Sequence, residues 1–245
     1  MTGILAHRGF SALYPENTML AFKEAAKFDI VGFETDVQMS KDGVLVICHD
    51  EEISRVSNGQ GFVKDFTFEE LRKLDFRNGM DQYELDEDTR IPSLEEFFEW
   101  FEETNFIINI ELKSSQERYD GMVEKTLDMV KKYGLVDRVI MSSFNHRDII
   151  KCKGLIPEIK CGFLTWSVFL KPGSYTASYG IDYYHPDYNS IDDEDYEDCK
   201  KNNIDVNPYT IDDKEKMKEL VDKGVLYIIT NRPDLGVEVV GGKNE

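Results

Sequence analysis

Positive charge is scarce in this sequence. Its 245 residues carry 29 Lys and Arg against 48 Asp and Glu, a formal net charge of −19. Nucleic acid and anionic membranes are bound by basic side chains that neutralise phosphates, so no nucleic acid and no stable membrane association is expected. A single phosphate held through a metal ion stays compatible with this charge, because a cation reverses the local sign. Cysteine is scarce too. Cys48, Cys152, Cys161 and Cys199 form no C-x-x-C pair, and a chain of this length folds without disulfides, so they read as reduced thiols. No run approaches the ~18 apolar residues of a membrane span. The opening residues, Met1-Thr2-Gly3-Ile4-Leu5-Ala6-His7, lack a basic segment followed by a long apolar run. A soluble cytoplasmic protein is the expectation. Disorder is excluded by what is present: 41% hydrophobic and 12% aromatic residues supply a core.

Length divided by about 150 gives roughly 1.6, one large domain or two small ones. Short apolar strands alternate with helical patterns along most of the chain. The periodicity predicts strands at 4–6, 31–39, 44–48, 106–112, 139–144, 159–164, 182–184, 204–206 and 225–229. It predicts helices at 17–28, 94–103, 117–133, 146–155, 193–202 and 214–223, and a weaker one at 174–179. Ser93 is an expected helix N-cap, with Glu96 three residues on. Residues 50–92 break the rhythm and read as an insertion. About eight strand–helix units in this length is the pattern of an α/β chain folded as a (β/α)8 TIM barrel. The expected organisation is one barrel domain over 1–245, with 50–92 inserted in it. A doubly wound sheet is the rival, weakened because no G-x-G-x-x-G follows the first strand.

Polar residues gather where strands end, and barrel active sites sit at the C-terminal ends of strands. In Glu34-Thr35-Asp36 the two carboxylates project the same way, about 6–7 Å apart at Cα for a rise of about 3.3 Å per residue. Carboxylates that close repel unless a proton or cation lies between them. Pairing with Arg or Lys is one solution; a hard metal ion on oxygen ligands is the other. In Asn109-Ile110-Glu111-Leu112-Lys113, Asn109, Glu111 and Lys113 share one face. Glu111 is a candidate third carboxylate ligand and Lys113 a candidate phosphate partner, with a buried Glu111–Lys113 ion pair as the plainer alternative. His7 and His49 both end strands, and histidines titrate near neutral pH, which suits an acid and a base. Arg8 presents a planar fork suited to phosphate oxygens. His146 reads as an ordinary first-turn residue. His185 could line the mouth. Trp166 is either a substrate wall or a packed aromatic. Metal-assisted phosphoryl chemistry fits this set.

The sequence also resembles a known family. His7-Arg8-Gly9, Pro15-Glu16-Asn17-Thr18, Glu34-Thr35-Asp36-Val37, Asp42-Gly43 and residues 46–50, ending in His49-Asp50, are similar to glycerophosphodiester phosphodiesterases. Ile91-Pro92-Ser93-Leu94-Glu95-Glu96, Glu111-Leu112-Lys113 and Ser143-Phe144 follow in the same order. The resemblance implies a (β/α)8 barrel with a small insertion after the His49 strand. It implies one divalent cation, Ca2+ or Mg2+, on Glu34, Asp36 and Glu111. It implies His7 and His49 as the acid/base pair, and Arg8 and Lys113 on the phosphate. The implied reaction cleaves a small-molecule glycerophosphodiester to glycerol 3-phosphate and an alcohol, a step in lipid and glycerol metabolism, by way of a cyclic phosphate that water opens. Two departures stand near the end of the chain. Tyr209-Thr210 replaces Trp-Thr, which keeps an aromatic wall. Thr230-Asn231-Arg232-Pro233 replaces Thr-Asp-x-Pro, which is expected to remove a charge near the mouth.

Overall fold

The computed structural model describes residues 2–241. Eight strands run parallel around a nearly closed barrel: β1 (Gly3–His7), β2 (Gly32–Met39), β4 (Ile107–Leu112), β5 (Val139–Ser143), β6 (Lys160–Thr165), β7 (Tyr183–Pro186), β8 (Asp205–Val206) and β9 (Tyr227–Thr230). The remaining strand, β3 (Leu45–Ile47), pairs antiparallel with β2 and lies off this path. The expected strand at 44–48 is therefore not a barrel stave. Between β8 and β9 the ladder is thin. Leu226 N–H donates to Val206 O at 3.1 Å, Ile229 N–H to Pro208 O at 3.1 Å, and Tyr227 N–H to the Asn207 side-chain oxygen at 3.1 Å. A side-chain amide thus replaces a ladder bond at the closing seam.

The helices are α1 (Met19–Ala25), α2 (Phe68–Leu71), α3 (Leu94–Phe101), α4 (Met122–Lys132), α5 (His146–Leu155), α6 (Pro172–Ser178), α7 (Asp193–Lys201), α8 (Lys214–Lys223) and α9 (Pro233–Gly241). Their starts follow local chemistry. Thr18 caps α1, and Ser93 with Glu96 forms the expected capping box of α3. The helix predicted over 17–28 is shorter because Asn17 is left-handed, with φ 58°. The helix predicted over 117–133 begins only after Gly121, whose φ of 78° breaks the turn before it. The sequence reading missed α9, whose two glycines and three valines are weak helix signals. Gly236 lets α9 lie close on β1, since a Cβ there would meet the Ile4 side chain at 2.9 Å.

Alternate strand residues divide inside from outside. Ile4, Ala6, Phe33, Val37, Ile108, Ile110 and Met141 join the helices in the main core, around Phe22, Phe97 and Phe101. Among the intervening positions of β2 and β4, Glu34, Asp36, Asn109 and Glu111 are polar and by this alternation face the barrel axis. A second apolar cluster of Val46, Cys48, Ile53, Val56, Val63, Leu71, Phe76 and Ile91 lies between β3 and α3.

Candidate active site

Strand register assembles the site. His7 is level with Glu34, Glu34 with Asn109, and Asp36 with Glu111. With side chains alternating along each strand, these residues turn inward together. His7, Arg8, Glu34, His49, Asn109, Glu111 and Lys113 line one cavity of about 270 Å³. A larger cleft of about 390 Å³ on the flank, lined by Val44, Leu45, Met129 and Lys132, shares none of these residues.

Glu34, Asp36 and Glu111 each offer an oxygen within 4.8 Å of the others, and all three are buried. Glu34 Oε2, Asp36 Oδ1 and Glu111 Oε1 accept no hydrogen bond of good geometry from the described residues. Buried carboxylate oxygens without donors are costly. Burial and then the Asp36 charge push Glu34 well above the usual carboxylate range. Burial and Asp36 likewise raise Glu111, against the pull of Lys113. Burial also acts on Asp36, but His49, Arg8, Lys113 and an Asn17 hydrogen bond hold it below its usual range. Three hard oxygen donors, two of them held uncomfortably as anions, fit a divalent cation.

Two basic side chains reach this cluster. Lys113 Nζ lies 2.9 Å from Glu111 Oε1 and 3.8 Å from Asp36 Oδ1. The plainer Glu111–Lys113 pair is thus present, though off the line of a hydrogen bond, since Glu111 Oε1 accepts none. Arg8, left-handed with φ 56°, sets Nε 3.3 Å from Asp36 Oδ2 and donates from its Nη1 to Glu16 Oε1 at 2.9 Å. Asn17 donates to Asp36 Oδ2 at 2.9 Å and accepts from Thr35 Oγ1 at 2.9 Å, so its left-handed turn orients a carboxylate.

Each site histidine has a partner that settles its orientation. Asn231 Nδ2 donates to Asp212 Oδ2 at 2.8 Å, so its Oδ1 is the acceptor. His7 Nδ1, 2.7 Å from that oxygen, carries the proton. Its Nε2 therefore holds a lone pair, 3.6 Å from Glu34 Oε2. Burial, and then Arg8, lower the His7 pKa to about 3, so the Glu34 contact is not an ion pair at neutral pH. The expected loss of charge at Asn231 is only a displacement, because Asp212 stands directly behind it. His49 Nδ1 lies 2.5 Å from Asp50 Oδ1. Arg55 clasps Asp50 at 2.5 and 2.9 Å and Glu16 at 2.8 and 2.9 Å. One chain of contacts thus links His49, Asp50, Arg55, Glu16 and Arg8. Gln38 fixes the segment by donating to Cys48 O at 2.9 Å and Asp50 O at 2.7 Å.

Asn17, Arg55, Asp212 and Asn231 were not read as site residues. Asn17 and Asn231 had a signal, since both lie inside quoted motifs. Arg55 and Asp212 sit in irregular segments, where spacing carries no direction. Trp166 lines the cavity with Phe144 and Tyr209. His185 does not line it: its ring is buried over Gly162, and its Nε2 accepts from Asn207 Nδ2 at 3.1 Å. His146 bridges to Leu164 O at 2.9 Å and stacks on Phe163.

Known proteins resemble this chain in sequence and in fold. The model of the glycerophosphoryl diester phosphodiesterase family matches residues 7–235. A glycerophosphodiester phosphodiesterase of Caldanaerobacter subterraneus subsp. tengcongensis is 42% identical over 98% of this chain and 98% of its own length. The crystal structure of a glycerophosphodiester phosphodiesterase from Agrobacterium tumefaciens superposes with a TM-score of 0.82 at 26% identity, over 98% of this chain and all (100%) of the other. A phosphodiesterase of Oleispira antarctica, in complex with the product sn-glycerol-3-phosphate, superposes with a TM-score of 0.84 at 25% identity, over 100% of this chain and 98% of the other. By family model, relatives and fold together, the chain belongs to the glycerophosphoryl diester phosphodiesterase family.

Proposed function

We propose that this enzyme hydrolyses glycerophosphodiesters to glycerol 3-phosphate and an alcohol, with a divalent cation and two histidines. The observation that carries this reading is the cluster of three buried carboxylates within 4.8 Å of one another, two of which, Glu34 and Glu111, line the cavity with His7, whose Nε2 holds a lone pair. Glu34, Asp36 and Glu111 would hold one Ca2+ or Mg2+, both of which take oxygen ligands. When bound, such an ion supplies positive charge that stabilises the phosphate oxygens.

His7 acts as the base. Its Nδ1 proton is committed to Asn231, so Nε2 takes the proton of the glycerol hydroxyl next to the phosphate as that oxygen forms the new P–O bond; water then opens the cyclic phosphate so made, breaking that P–O bond and giving glycerol 3-phosphate. His49 acts as the acid. Asp50 accepts from its Nδ1, and Nε2 hands a proton to the departing alkoxide as the old P–O bond breaks. Lys113 and Arg8 orient the phosphate oxygens and offset their charge. His7→Ala, His49→Ala and Glu111→Ala should each fold normally by circular dichroism. Each should lower turnover of glycerophosphocholine at least about 100-fold, the usual scale for a positioned proton-transfer group. Full turnover in folded His7→Ala or His49→Ala would overturn the assignment.

The chain reads as one barrel domain over 1–245 with 50–92 inserted; its outermost residues, Met1 and 242–245, lie outside those described. Support for the insertion is a separate small apolar cluster, six of whose eight buried residues lie within 50–92, the other two being Val46 and Cys48. No helix among the described residues is long and apolar enough to cross a membrane. Four buried cysteines without disulfide partners favour a reducing compartment such as the cytoplasm.

A further inference from the structure

The cavity has a second chemistry that phosphate transfer does not use. Phe144, Trp166 and Tyr209 line it beside the carboxylates. The Phe144 and Trp166 rings lie 4.9 Å apart and tilted by 32°. Phe144 and Tyr209 meet edge to face at 6.2 Å. The Tyr209 hydroxyl is committed to Thr165 O at 2.9 Å, so the ring rather than the hydroxyl serves the cavity. Trp166 is 65% exposed, an unusual position for so large an apolar ring unless a ligand covers it.

Asp187 lines the same cavity, paired in register with Tyr209 across the ends of neighbouring segments. Its Oδ1 is fixed by the Asn189 backbone N–H at 2.8 Å and side-chain amide at 3.1 Å. No cation among the described residues pairs with it, and its Oδ2 accepts no hydrogen bond. A fixed, unpaired carboxylate beside three aromatic rings matches one class of group. Ring faces attract ammonium and quaternary ammonium ions, and the carboxylate adds a full opposite charge. The rings offer a polyol head group no acceptor and a single donor, the Trp166 indole N–H, and an anionic head group would be repelled by Asp187.

We propose that Phe144, Trp166, Tyr209 and Asp187 form a subsite for a cationic leaving alcohol, an amino or quaternary ammonium alcohol such as choline. The assignment rests on the hydrolase reading above and names the substrate class of that site.

The test compares two diesters of one shape: glycerophosphocholine, and its neutral counterpart in which 3,3-dimethylbutanol replaces choline. The kcat/KM of the wild-type enzyme should favour the choline diester by about tenfold or more, the scale of a desolvated cation–π contact with added charge. Asp187→Asn and Trp166→Leu should each bring that ratio to within about threefold of one. Equal cleavage of both diesters by wild type would overturn the subsite and leave the hydrolase reading standing. A preference kept in both variants would overturn the residues named. Cleavage of neither diester would overturn the hydrolase reading, and the subsite with it. The wild-type ratio decides the first and last of these outcomes whether or not a variant folds.

Discussion

Asn231 decides which nitrogen of His7 carries the proton. Its amide is oriented by Asp212, and its oxygen accepts from both His7 and Ser11. Replacing it with Leu removes the acceptor without adding charge, so His7 loses its tautomeric preference. Asn231→Leu should lower kcat about ten- to hundredfold, a loss within the range for general-base catalysis, with KM changed far less. Steady-state kinetics check this; an unchanged kcat would contradict it. Arg55 holds Asp50, the partner of His49, so Arg55→Ala should lower kcat as well, by loosening rather than removing the proposed acid. At this scale the inward residues were legible, because a period of two puts Glu34 with Asp36, and Asn109 with Glu111 and Lys113, on one face. Arg55 and Asp212 were not, because they reach the histidines through loops and through other side chains.

Among the elements, α3 was the most legible. Ser93 and Glu96 cap it reciprocally, and Leu94, Phe97, Phe98 and Phe101 repeat at helical spacing on its buried face. Ser93→Ala removes one member of the box and should cost about 1 kcal/mol of stability. Urea denaturation measures it, and a change below a few tenths would contradict the capping role. Gly32 opens β2, where a Cβ would lie 1.9 Å from Ile107 O. Gly32→Ala should therefore force β2 from β4 and shift Glu34 and Asp36 from Glu111, with a marked fall in melting temperature. β3 was read as one more strand, since alternation does not reveal a partner's direction. Pairing antiparallel with β2, it instead delivers His49 to the mouth, the Cys48 N–H donating to Asp36 O at 3.0 Å.

Across the molecule, the barrel itself was legible from the alternation of strands and helices, while its closing seam was not. β8 has two residues, and the Asn207 side chain does the work of a missing ladder bond. The same amide donates to His185, whose Nδ1 has no partner among the described residues. Burial lowers the His185 pKa to about 3, against 6.5 in an unfolded chain. The folded barrel thus takes up this proton less readily than the unfolded chain. Its contribution to stability is full above about pH 6.5 and falls as the pH drops towards about 3, by about 2 kcal/mol at pH 5. Melting curves of His185→Gln should lose less stability than wild type between pH 7 and pH 5; equal losses would contradict a buried neutral His185.

Hydrolysis should depend on a divalent cation held by Glu34, Asp36 and Glu111. The most direct test is release of glycerol 3-phosphate from glycerophosphocholine and glycerophosphoethanolamine, first after chelation and then with Ca2+ or Mg2+ restored. Release should stop on chelation and return with one of the two ions in the wild type but not in Glu111→Ala. Undiminished release in the thoroughly chelated enzyme would contradict it.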